Sequence, residues 1–161
     1  MIISAKVYDE WFIVRLDNAP MAYREALMET MTNVSQYLYD KIYAKLSGDA
    51  IQVKSGRLRD ALKEDVFVEA EKIIARVRIE GVPYAAIQER GGTTRPHMII
   101  PREADVLRFE IGNTSVFTTR VRHPGSKIRE TMYMRSVLMY ERTKINKMMR
   151  DTVKNAEARL D

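Results

Sequence analysis

Asp65-Val66-Phe67-Val68-Glu69-Ala70-Glu71-Lys72-Ile73-Ile74-Ala75-Arg76-Val77-Arg78-Ile79 is the stretch whose reading decides the fold. Val66, Val68 and Ala70 alternate with Asp65, Phe67 and Glu69; further on, Ile73, Ala75, Val77 and Ile79 alternate with Ile74, Arg76 and Arg78. A period of two sends successive side chains to opposite faces of a pleated strand. The stretch reads as a β-hairpin turning near Glu71-Lys72, with one apolar and one wet face, and the apolar face needs a cover.

The cover is found on both sides in the chain. Upstream, Leu27, Met31, Val34, Leu38 and Ile42 recur at spacings of three and four as far as Gly48. This is the stripe of an amphipathic helix from about 19 to 46, with Asn18 suited to cap it and Pro20 tolerated in its first turn. Before it, residues 1–16 are rich in β-formers (Ile3, Val7, Trp11, Ile13, Val14) and read as a strand or short hairpin turned at Asp9-Glu10. Gly48 to Gly56 is a polar connection, and residues 55–62 form a short helical turn leading into the hairpin.

Downstream, Gly81-Val82-Pro83 breaks the pattern and Tyr84 to Arg90 has a short helix's composition, stopped by Gly91-Gly92. Thr93-Thr94-Arg95-Pro96 is a compact loop. Three short strand-like runs follow, 97–100, 106–111 and 115–121, separated by the turn signals Pro101-Arg102 and Gly112-Asn113, and they read as a meander. His123-Pro124-Gly125-Ser126 ends the strands. Met134, Leu138, Ile145, Met149, Val153 and Ala156 then hold the spacing of a second long helix, from about 129 to 160. The expected class is α+β: a mainly antiparallel sheet packed against two long helices, in a single domain spanning 1–161.

Composition narrows the function. A chain of 161 residues, 45% hydrophobic, can bury a core without staples, and the absence of cysteine excludes disulfides, thiolate metal sites and cysteine nucleophiles. No apolar run approaches the roughly 20 residues of a membrane span, and Lys6, Asp9 and Glu10 interrupt what would be a signal peptide's core, so no membrane partner is expected. The net charge of +5 is spread among interspersed acids and reads as solvated surface that tolerates a polyanion without demanding one.

Catalytic patterns are not found. His97 and His123 stand in no metal-ligand spacing; with Glu89 they border turns at one end of the meander, where they read either as a converging metal site or as capped loop residues. Gly91-Gly92-Thr93-Thr94 lacks the lysine of a phosphate loop, and no nucleophile elbow or dinucleotide fingerprint is present. No cofactor is implied, and a non-enzyme is the expectation. Arg57 with Arg59, Arg90 with Arg95, and Arg120 with Arg122 form basic clusters without interleaved aromatics, which suits backbone contact with a duplex better than single-strand stacking. Of ten methionines, five lie between Met132 and Met149, where they either fill an ordinary core or, with Met134, Leu138 and Met149 as the stripe, pack on a neighbouring subunit.

A resemblance rests on four pieces in order. They are Tyr84-Ala85-Ala86-Ile87-Gln88-Glu89-Arg90-Gly91-Gly92, Arg95-Pro96-His97-Met98-Ile99-Ile100-Pro101, Leu107-Arg108-Phe109 and Val121-Arg122-His123-Pro124-Gly125, preceded by Ser55-Gly56-Arg57-Leu58. Together they resemble the minor tail and tail-completion proteins of long-tailed bacteriophages, the neck family that joins a filled capsid to a tail. In place of the aromatic and proline that members often carry before the last helix, this chain has Lys127-Ile128-Arg129-Glu130-Thr131-Met132. The resemblance implies a structural virion protein of the head–tail junction, assembled in the bacterial host cytoplasm as a hexameric homo-oligomer ring. Implied partners are a head-closure or adaptor protein on one side, the tail tube or tail-terminator protein on the other, and genomic DNA passing through the lumen. Glu89, Gly91, Gly92, Arg95, His97, His123, Pro124 and Gly125 are then scaffold and interface candidates, with the sheet edge and the Met-rich final helix as the two subunit patches. The alternatives are a tail-terminator ring capping the tail tube, a non-specific DNA-binding module, and a hydrolase built from scattered carboxylates near Glu89 and His97.

Overall fold

The computed structural model describes residues 5–7, 11–15, 20–49 and 56–158, and its chain mixes helices with small antiparallel sheets. The N-terminal segment supplies β1 (Ala5–Val7) and β2 (Trp11–Arg15), paired antiparallel as a hairpin; Asp9-Glu10, the expected turn, and Asn18, the expected cap, lie outside the described residues. Helix α1 (Met21–Ala44) starts directly after Pro20, is extended by the segment Lys45–Asp49, in which Gly48 at φ 140° breaks the helical backbone, and is followed by the short α2 (Arg57–Asp60).

Strands β3 (Leu62–Glu69) and β4 (Lys72–Ile79) are the hairpin the alternation announces, paired from Leu62↔Ile79 to Glu69↔Lys72. With β2 on the other side of β4, the sheet runs β1-β2-β4-β3, antiparallel throughout. The turn is Ala70-Glu71, one residue earlier than the sequence suggests, and Ala70 sits at φ 51°, in the left-handed region. An L side chain is strained there and glycine is not. Ala70→Gly is therefore expected to raise stability by about 0.5–1 kcal/mol, visible as a higher urea midpoint at unchanged slope.

The two faces of the hairpin differ less cleanly than the alternation suggests, because Ile74, on the face of Arg76 and Arg78, is also buried, at 2% exposed. Ile73, Ala75 and Val77 are buried with Leu27, Met31, Val34 and Leu38 of α1 in one hydrophobic core. Buried Ser35 on α1 donates to Glu64 of β3 at 3.0 Å, and Arg24 pairs with Glu71 at 2.5 Å at the hairpin's turn. On the wet face, Asp65 takes Arg76 at 2.9 Å and Arg78, while Lys63 and Arg78 on either side of Glu80 hold its carboxyl down, at about 2.

Helix α3 (Ala85–Arg90) precedes six short strands: β5 (Gly92–Thr93), β6 (His97–Ile99), β7 (Leu107–Ile111), β8 (Thr114–Thr118), β9 (Val121–His123) and β10 (Lys127–Ile128). They form no meander and join no larger sheet. They pair as nested ladders, β5 with β10, β6 with β9 and β7 with β8, so that residues 92–128 make one long two-stranded arm. The first two ladders share a register, from Gly92↔Ile128 to Ile99↔Val121; residues 100–106 then bulge opposite residues 119–120 before pairing resumes at Leu107↔Thr118. No residue between 90 and 132 is buried, so the arm stands clear of the core.

Helix α4 (Arg135–Glu157) starts six residues later than the expected bound of 129, just after Met134, where the apolar spacing itself begins, because residues 131–133 are bonded to α3 instead. It packs antiparallel along α1: Thr30 and Thr152 share a 2.6 Å hydrogen bond, Tyr37 donates to Glu141 at 2.6 Å, and Lys144 lies over the Tyr37 ring at 3.9 Å. The expectation of a sheet packed against two long helices is corrected accordingly. The helix that lies on the sheet is α1, and α4 packs on α1.

Candidate interaction site: a clamped arm

Glu89 is the only buried carboxylate among the described residues, 7% exposed at the end of α3. An ionised carboxylate is stable there only if both oxygens are occupied. They are: Oε2 accepts from the Met134 backbone N–H at 3.0 Å, and Oε1 accepts from the Arg135 N–H at 2.9 Å and from its guanidinium Nε at 3.2 Å. Helix α4 has no cap of its own and no acid in its first turn. Glu89 therefore supplies both the hydrogen bonds and the negative charge that a helix N-terminus lacks, from a different element of the chain.

Around this contact the chain between arm and α4 is stitched to α3. The Thr131 and Met132 N–H groups donate to the Gln88 and Glu89 carbonyls at 3.0 and 3.2 Å, the Thr131 hydroxyl also reaches Gln88 O at 2.8 Å, and the buried Tyr133 hydroxyl donates to Ala85 O at 3.1 Å. Gly91 is required by this approach. At φ 70°, a Cβ would sit 2.9 Å from the Glu130 nitrogen and 3.1 Å from Ile128 O.

The arm leaves from this clamp. Thr94 and Ser126 exchange hydrogen bonds across it, Thr94 N–H to Ser126 O at 2.9 Å and Ser126 N–H to Thr94 Oγ1 at 2.7 Å. Gly125, at φ 92°, passes so close that any Cβ would overlap the Thr94 carbonyl oxygen. One step further out, His97 and His123 pair across β6 and β9 and stack with centroids 5.0 Å apart. Nδ1 of His97 is 3.1 Å from Arg95 O, and Nδ1 of His123 accepts the Gly125 N–H at 3.0 Å next to Pro124. The turn at 123–125 is thus held by its own histidine.

The structure places Glu89, Gly91, Gly92, Arg95, His97, His123, Pro124 and Gly125 at the clamp and the base of the arm. It does not join Glu89 to either histidine: its oxygens face α4 and the histidines face each other. No group of three metal-ligating side chains is present among the described residues. Met134, Leu138 and Met149 are buried in the chain's own core, and the side of α4 left open carries Met139 and Tyr140 instead. Sequence reasoning missed Arg135, Thr131 and Tyr133, whose roles depend on contacts across more than forty residues that carry no local signal.

Beyond the clamp the arm is a surface without a lining. Met98, Ile100, Ile111 and Phe117 are at least half exposed. Arg95, Arg102, Arg108, Arg120, Arg122 and Lys127 outnumber Glu103, Asp105 and Glu110, and none of these bases forms an ion pair among the described residues, though Arg108 lies over Phe117. Exposed apolar side chains interleaved with unpaired cations are what a recognition surface offers. Comparison with protein families, with curated proteins and with solved structures finds no match to this chain.

Proposed function

We propose that the chain is a structural protein of a tailed-phage particle, a tail-completion component of the neck that forms a ring between the head-closure or adaptor protein and the tail tube. One observation carries this reading. The residues that resemble the neck family, from Tyr84 to Gly125, fold into a single device: a clamp whose geometry demands Glu89, Gly91 and Gly125, and an exposed arm that the clamp aims away from the core. A device of this kind holds partners. Its one buried carboxylate is spent on capping α4, and the arm's exposed apolar and basic side chains are left for contact with other chains.

The mechanism is mechanical. Docking of the arm and of the open helix faces supplies the energy of assembly, and clamp residues set the arm's direction without touching a partner. A tail-terminator ring uses the same surfaces, and the arm's unpaired bases support contact with DNA in the lumen as an auxiliary role.

The test is to mix purified protein with phage tails lacking their head-proximal end, weigh the products and image them. Rings seated on tail ends are expected, and their ability to restore head joining separates completion from termination. Protein that ignores heads and tails but binds any duplex, with affinity collapsing as salt rises, would replace this reading with a DNA-binding module.

A further inference from the structure

A two-stranded ribbon with no layer beneath it is marginal in water, and this one exposes its apolar side chains along its length. Its complement lies on the same molecule. The side of α1 covered by neither the sheet nor α4 carries Met21, Glu25, Glu29, Gln36, Asp40 and Tyr43, positions that 3.6 residues per turn bring onto one stripe opposite the buried Leu27 and Met31. The stripe itself carries three carboxylates and no base, although Arg59 of α2 lies over the ring of Tyr43 at its end, 5.6 Å from the centroid. It begins at Met21, 70% exposed, and ends at Tyr43, 39% exposed. Glu25 and Glu29 form no ion pair among the described residues, and Asp40 receives only a hydrogen bond from Gln36.

We infer that the arm of one copy docks along the outward stripe of α1 on a second copy, its bases against Glu25, Glu29 and Asp40 and its apolar residues against Met21 and Tyr43. In its own chain both surfaces remain exposed. A nucleic acid would engage the arm's bases but leave its apolar residues and the acidic stripe unused, so a second copy fits more of the surface. Arm and stripe are different patches, which makes the contact heterologous: it propagates head to tail and closes into a ring when the rotation allows. The association is read from these surfaces alone and stands whether or not the chain belongs to a virion.

The experiment is sedimentation of the full chain at low salt over a concentration series reaching about 1 mM, for the wild type and three variants. Arg120→Glu with Arg122→Glu reverses the arm, Glu25→Lys with Glu29→Lys reverses the stripe, and the third variant carries all four; every site is at the surface, and circular dichroism checks that each variant is folded. The wild type is expected to associate and to weaken as salt rises. Each double reversal is expected to weaken association at least about tenfold, and the fourfold variant to recover it. A chain that stays monomeric throughout, an association indifferent to either reversal, or a fourfold variant no better than the doubles overturns the inference. Failure to seat on phage tails with self-association intact would count against the neck reading only.

Discussion

Glu89→Ala is expected to cost about 2–4 kcal/mol of global stability, read as a lower urea midpoint. The substitution removes the only acceptors for the buried Met134 N–H and the Arg135 N–H, and it takes a negative charge from the start of a helix of more than six turns. It also leaves the Arg135 guanidinium with only the Glu89 carbonyl and the exposed Glu130 carboxylate, at 3.3 and 3.4 Å. Because α4 packs along α1 and α1 covers the sheet, fraying at this terminus reaches the core. Glu89→Gln keeps one acceptor oxygen and is expected to cost about half as much. Arg135→Ala should cost less than either, since that side chain is a third exposed and solvent screens its pairing. An alanine variant within about 0.5 kcal/mol of the wild type would show that α4 needs no external cap.

Gly125→Ala is expected to disconnect the arm while leaving the body folded. The new methyl group would overlap the Thr94 carbonyl oxygen, in a backbone conformation at φ 92° that L residues rarely adopt. Relief requires the two strands to separate at Thr94 and Ser126, at a local cost of about 3 kcal/mol or more. Hydrogen exchange is the measurement: the Thr94 and Ser126 amides lose protection, roughly a hundredfold for that cost, while those of α1 and β4 keep theirs. Retained protection at Thr94 would mean that the strands accommodate the methyl group and that glycine is dispensable there. The contrast with Glu89 follows from position, since one residue joins the arm to itself and the other joins two elements of the core.

The central hairpin was legible because most of its apolar residues repeat every second position over both strands, and α1 because its stripe from Leu27 to Ile42 persists for about four turns; a wrong register or period would expose most of those side chains. The arm was legible only in pieces. Its short strands carry turn signals at the right places, but the same signals serve a meander and a nested hairpin equally well, and β5 and β10 are too short to announce themselves. The sequence places the start of α4 too early because no turn residue separates Ser126 from Met134, and the bonds of Thr131, Met132 and Tyr133 to α3 leave no local mark. At the clamp, Glu89, Gly91 and Gly125 were singled out from their setting among glycines and turns, but their actual partners lie on other elements.

The sequence by itself determined the central hairpin and the two long helices, with the apolar stripe of each helix, since their periods are written in neighbouring residues and each stripe must find cover. Only the tertiary structure decided that α4 rides on α1, that Glu89 caps α4 instead of meeting the histidines, and that residues 92–128 leave the core as one arm. Those outcomes depend on which backbone donors and acceptors meet across forty or more residues, and a local pattern holds no record of that choice.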